Sequence, residues 1–393
     1  MIGPRTRNLM VFFCLMFFFS NAQQSGHSGL PIEIFFGPTP QAICSEGEFH
    51  FVYEVHLINY APLQLKLVSL EISDTSSSVL AAYDEKSLMQ IMVPVEKLSG
   101  GEFGSTDINT VTSIRPGSAV ILFLDVLLTK RTEKPLKLNH EFTFSLTYPD
   151  GTTAKKVVRP SSLFIDTTPM IQLQPPLRGA GWIAFNSLGG PDHRRAFNAV
   201  DGNITIAERF AIDWMRLGPD GRLFRDKGNS NTDYYSYGEE VLAVADGKIS
   251  DLKNDLPDNM GSSLRSARKV TLENIVGNYI IIDLGKERYA LYAHLKAGSL
   301  KVKLGDQVQR GEVIALLGNS GNSDEPHLHF QIMNRNAPLA AEGMPYHLEK
   351  YTSTGLADPS SLDLGKPWIP TTLQKPVVFY DDFPKNNIIV SFQ

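Results

Sequence analysis

Two histidines on one short segment, His327 and His329, have the types and spacing best suited to chemistry. The run from His327 to Ile332 alternates and follows turn-forming residues, which predicts a strand. Side chains two positions apart on a strand point to the same face, so both imidazoles would project together. A neutral imidazole binds metal ions and can also transfer a proton. The pair therefore indicates a zinc site or acid–base chemistry, with two ordinary polar sheet residues as the alternative.

Further candidate residues lie in the same half of the chain. Five of the nine histidines follow position 192, and these are His193, His294, His327, His329 and His347. Asp213 is an acid inside the short apolar strand predicted for 209–214. The run Tyr289–Leu295 predicts another strand, with His294 on the same face as Tyr292 and Ala290. His193 lies in a polar loop that could fold over a groove.

Short strands separated by glycine turns are predicted throughout 182–345. The apolar runs 241–249, 279–284 and 310–318 are each short and turn at a glycine, and no amphipathic helix longer than about three turns is present. This pattern predicts a compact antiparallel β-barrel or sandwich. The proline-rich residues 346–393 are predicted as a C-terminal extension whose short strands could join the sheet of either domain.

The first half of the chain, 23–166, has a different pattern. Residues 49–57 alternate as a half-buried strand does, and the alternation changes phase near Leu67, which predicts a β-bulge. Residues 119–128 are almost entirely apolar, as expected of a strand buried in a sandwich. About seven strands joined by turns predict an immunoglobulin-like β-sandwich. Residues 167–181, dense in Pro and Gly, are the predicted linker.

Composition and the amino terminus limit the class of protein. The chain has 393 residues, of which 42% are hydrophobic, so it is long enough for two domains with separate cores. A net charge of −5 gives no basis for nucleic-acid binding or for an anionic membrane. Residues 1–22 are predicted as a signal peptide, because Arg5 and Arg7 precede an apolar run too short to cross a membrane. Cys44 would then be the single cysteine of the mature chain, without an intramolecular disulfide.

The segment 237–332 resembles the lysostaphin-type (LytM-type, β-lytic-like) zinc metallopeptidases. The resemblance rests on the order and spacing of motifs, which are Val241-x-Ala243-x-x-Asp246-Gly247, Gly277-Asn278-Tyr279, Tyr292-Ala293-His294-Leu295, Val302-x-x-Gly305-Asp306-x-Val308-x-x-Gly311, Gly318-Asn319-Ser320-Gly321 and Pro326-His327-Leu328-His329-Phe330. It implies that this part of the chain is a duplicated-hybrid-motif β-barrel.

The resemblance also implies a site. In that family, zinc is held by the His and Asp of an H-x-G-x-D motif and by the second His of H-x-H, which gives Asp213 and His329 as ligands. It gives His294 and His327 as the catalytic pair that activates water and stabilises the oxyanion. The chemistry is sound, because zinc lowers the pKa of a bound water to about 7 and a neutral His can take up the proton.

The chain departs from this pattern at the first ligand. The segment corresponding to H-x-G-x-D reads Arg209-Phe210-Ala211-Ile212-Asp213, and an arginine is always protonated and cannot bind zinc. Three interpretations follow. His193 replaces the lost ligand; or Arg209 pairs with Asp213 in a pocket without metal; or Arg209 binds a substrate carboxylate while another oxygen donor, such as Asp201, completes the site. Ala211, in place of the glycine, could also mean that the chain is not bent there.

The expected function is that of a zinc metalloendopeptidase, secreted or located in the periplasm or cell envelope and without a transmembrane anchor after signal cleavage. By resemblance, its cofactor is Zn²⁺ and its substrate is the peptide part of peptidoglycan, a stem or cross-bridge, or another peptide made of small residues. The metal set is then Asp213, His329 and His193. The alternative from a different class is a catalytically degenerate barrel that acts as a cell-envelope binding or regulatory module.

Overall fold

The computed structural model describes residues 29–98, 112–128, 134–200, 202–260, 270–358, 360, 362, 365–368 and 375–393. The predicted signal peptide, 1–22, therefore lies outside the described residues, and so does Asp201. The described chain is almost entirely β-structure, which confirms the prediction of an all-β protein. None of its helices has the length and apolarity that a membrane crossing requires.

Residues 32–164 form a first set of strands, called here the N-terminal unit. Its elements are β1 Ile32–Phe36, β2 Ala42–Ser45, β3 Glu48–Asn59, β4 Leu65–Ser73, β5 Val79–Asp84, α1 Glu85–Ile91, β6 Met92–Pro94, α2 Val95–Leu98, β7 Ser113–Ile114, β8 Ala119–Leu128, β9 Lys137–Thr147, β10 Thr153–Val158 and β11 Leu163–Phe164. They form one sheet in the order β1-β3-β8-β6, with β2 on β3, and a second in the order β10-β9-β4-β5, with β11 on β9 and β7 on β4.

The two sheets of the N-terminal unit share one hydrophobic core. Alternate residues of β3, β4, β8 and β9 are buried in it, including Phe51, Tyr53, Leu70 and Phe142. The register of β4 against β9 shifts between Leu67 and Ser69, where the change of phase in the sequence predicts a bulge. The finer assignment to the immunoglobulin-like class stays a prediction.

Residues 171–392 form a second set, called here the C-terminal unit. Its elements are β12 Ile171–Leu173, β13 Gly179–Phe185, α3 Pro191–Arg194, β14 Phe197–Val200, β15 Asn203–Ile206, β16 Ile212–Arg216, a 3₁₀ helix Asn231–Asp233, β17 Glu240–Leu242, β18 Gly247–Lys253, β19 Asn278–Asp283, β20 Tyr289–Leu295, β21 Gln307–Val308, β22 Val313–Leu316, β23 Leu328–Met333, β24 Gly343–Met344, β25 Tyr346–Leu356, β26 Val377–Asp382 and β27 Ile388–Phe392.

A long sheet organises the C-terminal unit. Its order is β12-β25-β27-β13-β16-β23-β20-β19-β18-β21, with β24 beside β23 and β26 beside β25. The predicted linker, 167–181, supplies β12 and the first residues of β13 to this sheet. The strands of the C-terminal extension also join it rather than a sheet of the N-terminal unit. The duplicated-hybrid-motif barrel stays a prediction.

The middle of the long sheet has two different faces. On one face, Trp214, Tyr292 and Phe330 belong to the main hydrophobic core of the C-terminal unit. Antiparallel pairing places Asp213 opposite His329 and His329 opposite Ala293, so these residues share the other face. The polar candidate residues therefore lie on the face of the sheet opposite the main core.

Candidate functional site

Three adjacent elements bring His193, Asp213 and His329 together. Asp213 on β16 and His329 on β23 are register partners, and His193 comes from the short helix α3. One donor atom of each residue lies within 4.8 Å of the others, and all three side chains are buried. The family motifs contain Asp213 and His329 but do not indicate where α3 lies. Only the fold shows that α3 brings His193 to these two residues.

The Asp213 carboxylate lies at the centre of the cluster. Its Oδ2 is 3.1 Å from Nε2 of His193, and its Oδ1 is 2.9 Å from Nδ1 of His329. Nε2 of His327 is 3.5 Å from the same Oδ1. The Asn186 amide, just after β13, donates to Oδ2 at 3.0 Å. The acid is therefore surrounded by three imidazoles and an amide.

Hydrogen bonds on the outer side of each ring fix the orientation of two candidate ligands. Nε2 of His329 is 2.8 Å from Oε1 of Gln331, whose own amide donates to the carbonyl oxygen of Ala207 at 3.1 Å. Nδ1 of His193 donates to the carbonyl oxygen of Ala211 at 3.1 Å. Each ring therefore turns its other nitrogen towards Asp213. Metal-binding histidines are generally held in this way.

His294 and His327, the predicted catalytic pair, have the same arrangement. Nδ1 of His327 donates to the carbonyl oxygen of Glu325 at 2.9 Å, and Nδ1 of His294 donates to that of Ser320 at 2.8 Å. The centroid of the His294 ring lies 4.8 Å from that of His327 and 5.8 Å from that of His329. Both residues thus keep Nε2 available on the side where the site lies.

The position of His294 corrects one prediction. Strict alternation places it on the face of Tyr292, which is the face of the main core. The pairing of β19 with β20 instead shifts register between Asn278 and Ile280, and His294 has a φ of 59°. A left-handed residue at such an irregularity turns its side chain to the other face. The strand is therefore bulged at a residue of the predicted catalytic pair.

A glycine allows the turn that holds His294 to approach. A Cβ atom at Gly277 would lie 2.5 Å from the carbonyl oxygen of Ser320, which is too close for any other residue. The Ser320 hydroxyl also accepts from the backbone N–H of Asn278 at 2.8 Å. The close contact between these two segments places the Ser320 carbonyl at Nδ1 of His294.

The five residues fall into two groups by pKa. Burial opposes charge, but the carboxylate of Asp213 outweighs it and raises the pKa of His193 to about 9 and that of His329 above its usual value. Burial also opposes ionisation of Asp213, yet the facing histidines hold its pKa well below its usual range. Burial lowers the pKa of both His294 and His327, so these two are neutral at pH 7. Neutral imidazoles are the form needed for proton transfer.

Arg209 has a role that the sequence does not predict. Its guanidinium pairs with Glu54 of the N-terminal unit at 2.7 Å and with Glu342 at 2.8 Å. These pairs contradict the interpretation in which Arg209 pairs with Asp213, and the two acids already compensate its charge inside the protein. The chain also turns at 207–210, where the N–H of Ala211 donates to the carbonyl oxygen of Glu208, so Ala211 does not keep it straight.

The donor set fits a zinc ion. Zinc takes nitrogen and carboxylate oxygen donors at about 2.0–2.2 Å, which places tetrahedral donors about 3.3–3.6 Å apart. The distances from Asp213 to His193 and His329, 3.1 and 2.9 Å, are close to this range. Metal binding would displace the ring proton that each of the two histidines turns towards Asp213. Two histidines and one carboxylate would then leave a fourth position for water, as in catalytic rather than structural sites.

Comparison with known proteins gives the family. Residues 231–341 match the family model described as Peptidase family M23. This part of the chain is a peptidase family M23 domain. The resemblance to lysostaphin-type peptidases is thereby confirmed. The match contains His294, His327 and His329, whereas Asp213 and His193 precede it.

Relatives of the M23 domain include one protein named as a peptidoglycan endopeptidase and one named as an endolysin. Peptidoglycan DD-endopeptidase ShyA of Vibrio cholerae is 40% identical over 65 residues, which are 16% of this chain and 15% of the relative. Endolysin 2638A of Staphylococcus phage 2638A is 34% identical over 89 residues, 21% of this chain and 18% of the relative. The aligned segments thus span less than a fifth of the length of these relatives.

Solved structures are similar at a low level. The catalytic domain of lysostaphin from Staphylococcus simulans shares 25% identity, with a TM-score of 0.20 and coverage of 32% of this chain and 86% of that chain. A zinc-containing peptidase from Vibrio cholerae shares 13% identity, with a TM-score of 0.22 and coverage of 77% of this chain and 82% of that chain.

Proposed function

We propose that the protein is a zinc-dependent peptidase that hydrolyses peptide bonds in the stem or cross-bridge peptides of peptidoglycan. One observation carries the proposal. Each of His193, His294, His327 and His329 is held by a hydrogen bond to one ring nitrogen, and each turns the other nitrogen towards the site around Asp213. Four buried imidazoles fixed in this way have little use in a site without metal or chemistry.

His193, Asp213 and His329 are the residues that would hold the metal. When bound, the metal ion would act as a Lewis acid that polarises the scissile carbonyl and lowers the pKa of a water molecule. Asn186 and Gln331 orient the carboxylate and one imidazole from behind, through their amides. Sequence inspection missed both, although Gln331 stands two positions after His329 and so shares its face of the strand.

His294 and His327 would move the protons of the reaction. Both are neutral, and their Nδ1–H groups are committed to backbone carbonyls, so Nε2 is the basic atom. One imidazole accepts the proton of the attacking water, and the resulting imidazolium then protonates the leaving amine. The other neutral imidazole would accept a hydrogen bond from the water through its Nε2 and so orient it for attack. This assignment rests on the resemblance and on the position of the two rings beside Asp213.

The relatives and residues 1–22 support the proposed substrate and location. ShyA is named a peptidoglycan DD-endopeptidase, and residues 1–22 have the pattern of a signal peptide. We therefore expect action outside the cytoplasm, in the periplasm, the cell envelope or the medium. The second candidate is a binding module of the envelope with the same fold and no hydrolysis, favoured only by Arg209 at the usual ligand position.

The test is the metal content of the purified protein. We expect about one zinc per chain in the wild type, loss of zinc in His193→Ala, and retention in the matched control His347→Ala. This control removes a histidine of β25, a strand that pairs with β12, β26 and β27 rather than with the strands of the site. Release of new amino groups from purified peptidoglycan should follow the zinc content. A wild type that binds no zinc after supplementation would leave only the binding module.

A further inference from the structure

The segment that links two of the candidate zinc ligands is fastened to the N-terminal unit. It runs from His193 on α3, through the hairpin β14–β15, to the turn before Asp213. We propose that the N-terminal unit is a positioning element of the metal site, so that zinc affinity depends on contacts between the two units. This inference rests on the proposed function.

The first contact is the buried ion pair of Arg209. Its Nε lies 3.1 and 3.0 Å from the two carboxylate oxygens of Glu54 on β3, and its Nη2 lies 2.7 Å from Oε2. The side chains are 4% and 1% exposed. A paired guanidinium and carboxylate with this geometry have few other orientations available. The turn that leads into the strand of Asp213 is thereby fixed to β3.

The same guanidinium also reaches the strand beside His329. Nη1 donates to the carbonyl oxygen of Gly343 at 3.1 Å, and Gly343 on β24 is the register partner of Met333 on β23. A Cβ at Gly343 would lie 2.7 Å from the carbonyl oxygen of Ala207, so the segments are in close contact. Arg209 therefore connects Glu54 with the elements that lead to both Asp213 and His329.

The second contact lies directly beside His193. The next two residues are arginines, and both donate to the N-terminal unit, Arg194 to the carbonyl oxygen of Leu124 and Arg195 to that of Gln90, each at 2.7 Å. A helix of four residues has little rigidity of its own. These two hydrogen bonds therefore fix the helix that presents the imidazole.

The third contact is apolar and lies between the other two. Phe197 and Ile206, on β14 and β15, form one buried cluster with Val93, Ile121 and Phe123 of the N-terminal unit. The whole stretch between the two ligands is thus held at its start, middle and end. Metal sites bind tightly when the supporting residues hold the ligands in place before the ion arrives.

The experiment measures zinc affinity by competition with a chromophoric chelator in the full mature chain. We expect Glu54→Gln and Arg194→Met to weaken zinc binding by about 10-fold or more, the scale seen when support for a metal ligand is removed. The matched controls Glu96→Gln and Arg159→Met break exposed ion pairs of the N-terminal unit and should leave the affinity unchanged. A purely structural role would change unfolding but not the dissociation constant of the folded protein.

Two outcomes separate this inference from the proposed function. If the wild type binds zinc and folded Glu54→Gln and Arg194→Met bind it equally well, the positioning role is refuted while the peptidase remains. If the wild type does not bind zinc, both fail together. Should the variants not fold, hydrogen exchange of the wild type decides, because coupling is reciprocal. Zinc should slow amide exchange in β8, which contacts Arg194, Phe197 and Ile206, and should leave β10 of the same unit unchanged. If zinc leaves exchange in β8 unchanged as well, the coupling between the two units is refuted.

Discussion

Arg209→His restores the first histidine of the H-x-G-x-D pattern, and we expect this change to damage the protein rather than improve the site. Arg209 occupies the usual ligand position, but its side chain lies in the interface with Glu54 and Glu342. An imidazole is shorter than the arginine side chain and cannot make all of these contacts together with that to Gly343. The carboxylate of Glu54, on a side chain 1% exposed, would lose its main partner.

The expected cost is large. Removing one partner of a buried ion pair destabilises a protein by about 3–5 kcal/mol, since the remaining charge stays buried. Typical proteins have a total stability of about 5–15 kcal/mol, so the variant would lose a large fraction of it. The matched control Arg159→His removes an arginine from an exposed pair with Glu141, and its cost should stay below about 1 kcal/mol.

Urea unfolding of the four proteins, together with zinc titration, provides the assay. The proteins are the wild type, Arg209→His, the control Arg159→His, and the double variant Arg209→His with His193→Ala. We expect the double variant to lack zinc, because position 209 does not face the site. Zinc bound at full stoichiometry by a stable double variant would refute this reasoning and would show that a histidine at 209 can replace His193.

Three further predictions concern single residues. In His294→Asn, the new residue tolerates a positive φ but cannot transfer a proton. We therefore expect the zinc content to persist while the hydrolysis rate falls about 10²–10⁴-fold. A fully active variant would exclude His294 from the reaction. Gln331→Met removes the acceptor of the Nε2–H of His329 and should weaken zinc binding about 10–100-fold in a chelator competition, whereas unchanged affinity would show that the amide is dispensable. Burial lowers the pKa of His140 from 6.5 to about 3, so the stability tied to its neutral form is present above pH 6.5 and is lost as the pH falls. In urea unfolding, the wild type should lose about 2 kcal/mol of unfolding free energy between pH 7 and 5, and His140→Gln should lose less. An equal dependence of the unfolding free energy on pH in the two proteins would contradict the assignment.

Much of the candidate site could be predicted from local patterns. His327 and His329 alternate on one segment, so their type and spacing indicate shared chemistry. Asp213, an acid inside an apolar strand, is joined to them only by the resemblance to the lysostaphin-type peptidases. The fold adds that Asp213 and His329 are register partners on the sheet face opposite the main core. His193 was predicted only because a ligand was missing, since nothing in a polar loop fixes its partner across the fold.

Other features depend on contacts that no local pattern contains. Alternation gives the wrong face for His294, because one left-handed residue and a register shift reverse its direction. The role of Arg209 depends on Glu54, which lies 155 positions earlier in the chain. The outer hydrogen bonds of the histidines go largely to backbone carbonyls, such as those of Ala211 and Ser320, and a carbonyl leaves no trace in the sequence.

One sequence signal marks the interface between the units, although the same signal also fits a strand inside a single sandwich. β8 is apolar on both faces, which fits a strand covered on both sides. Leu122 and Leu124 pack into the core of the N-terminal unit, whereas Ile121 and Phe123 pack against the hairpin β14–β15.

The neighbouring strand, β3, also has two different faces. Tyr53 faces the core of the N-terminal unit, whereas Glu54 binds Arg209. The outer face of the first sheet is therefore built to receive the segment that carries His193 and ends before Asp213. Arg209 and His193 thus belong to one arrangement: Arg209, at the position of the family's first ligand, fastens the two units, and His193, the ligand proposed in its place, lies on the segment so fastened.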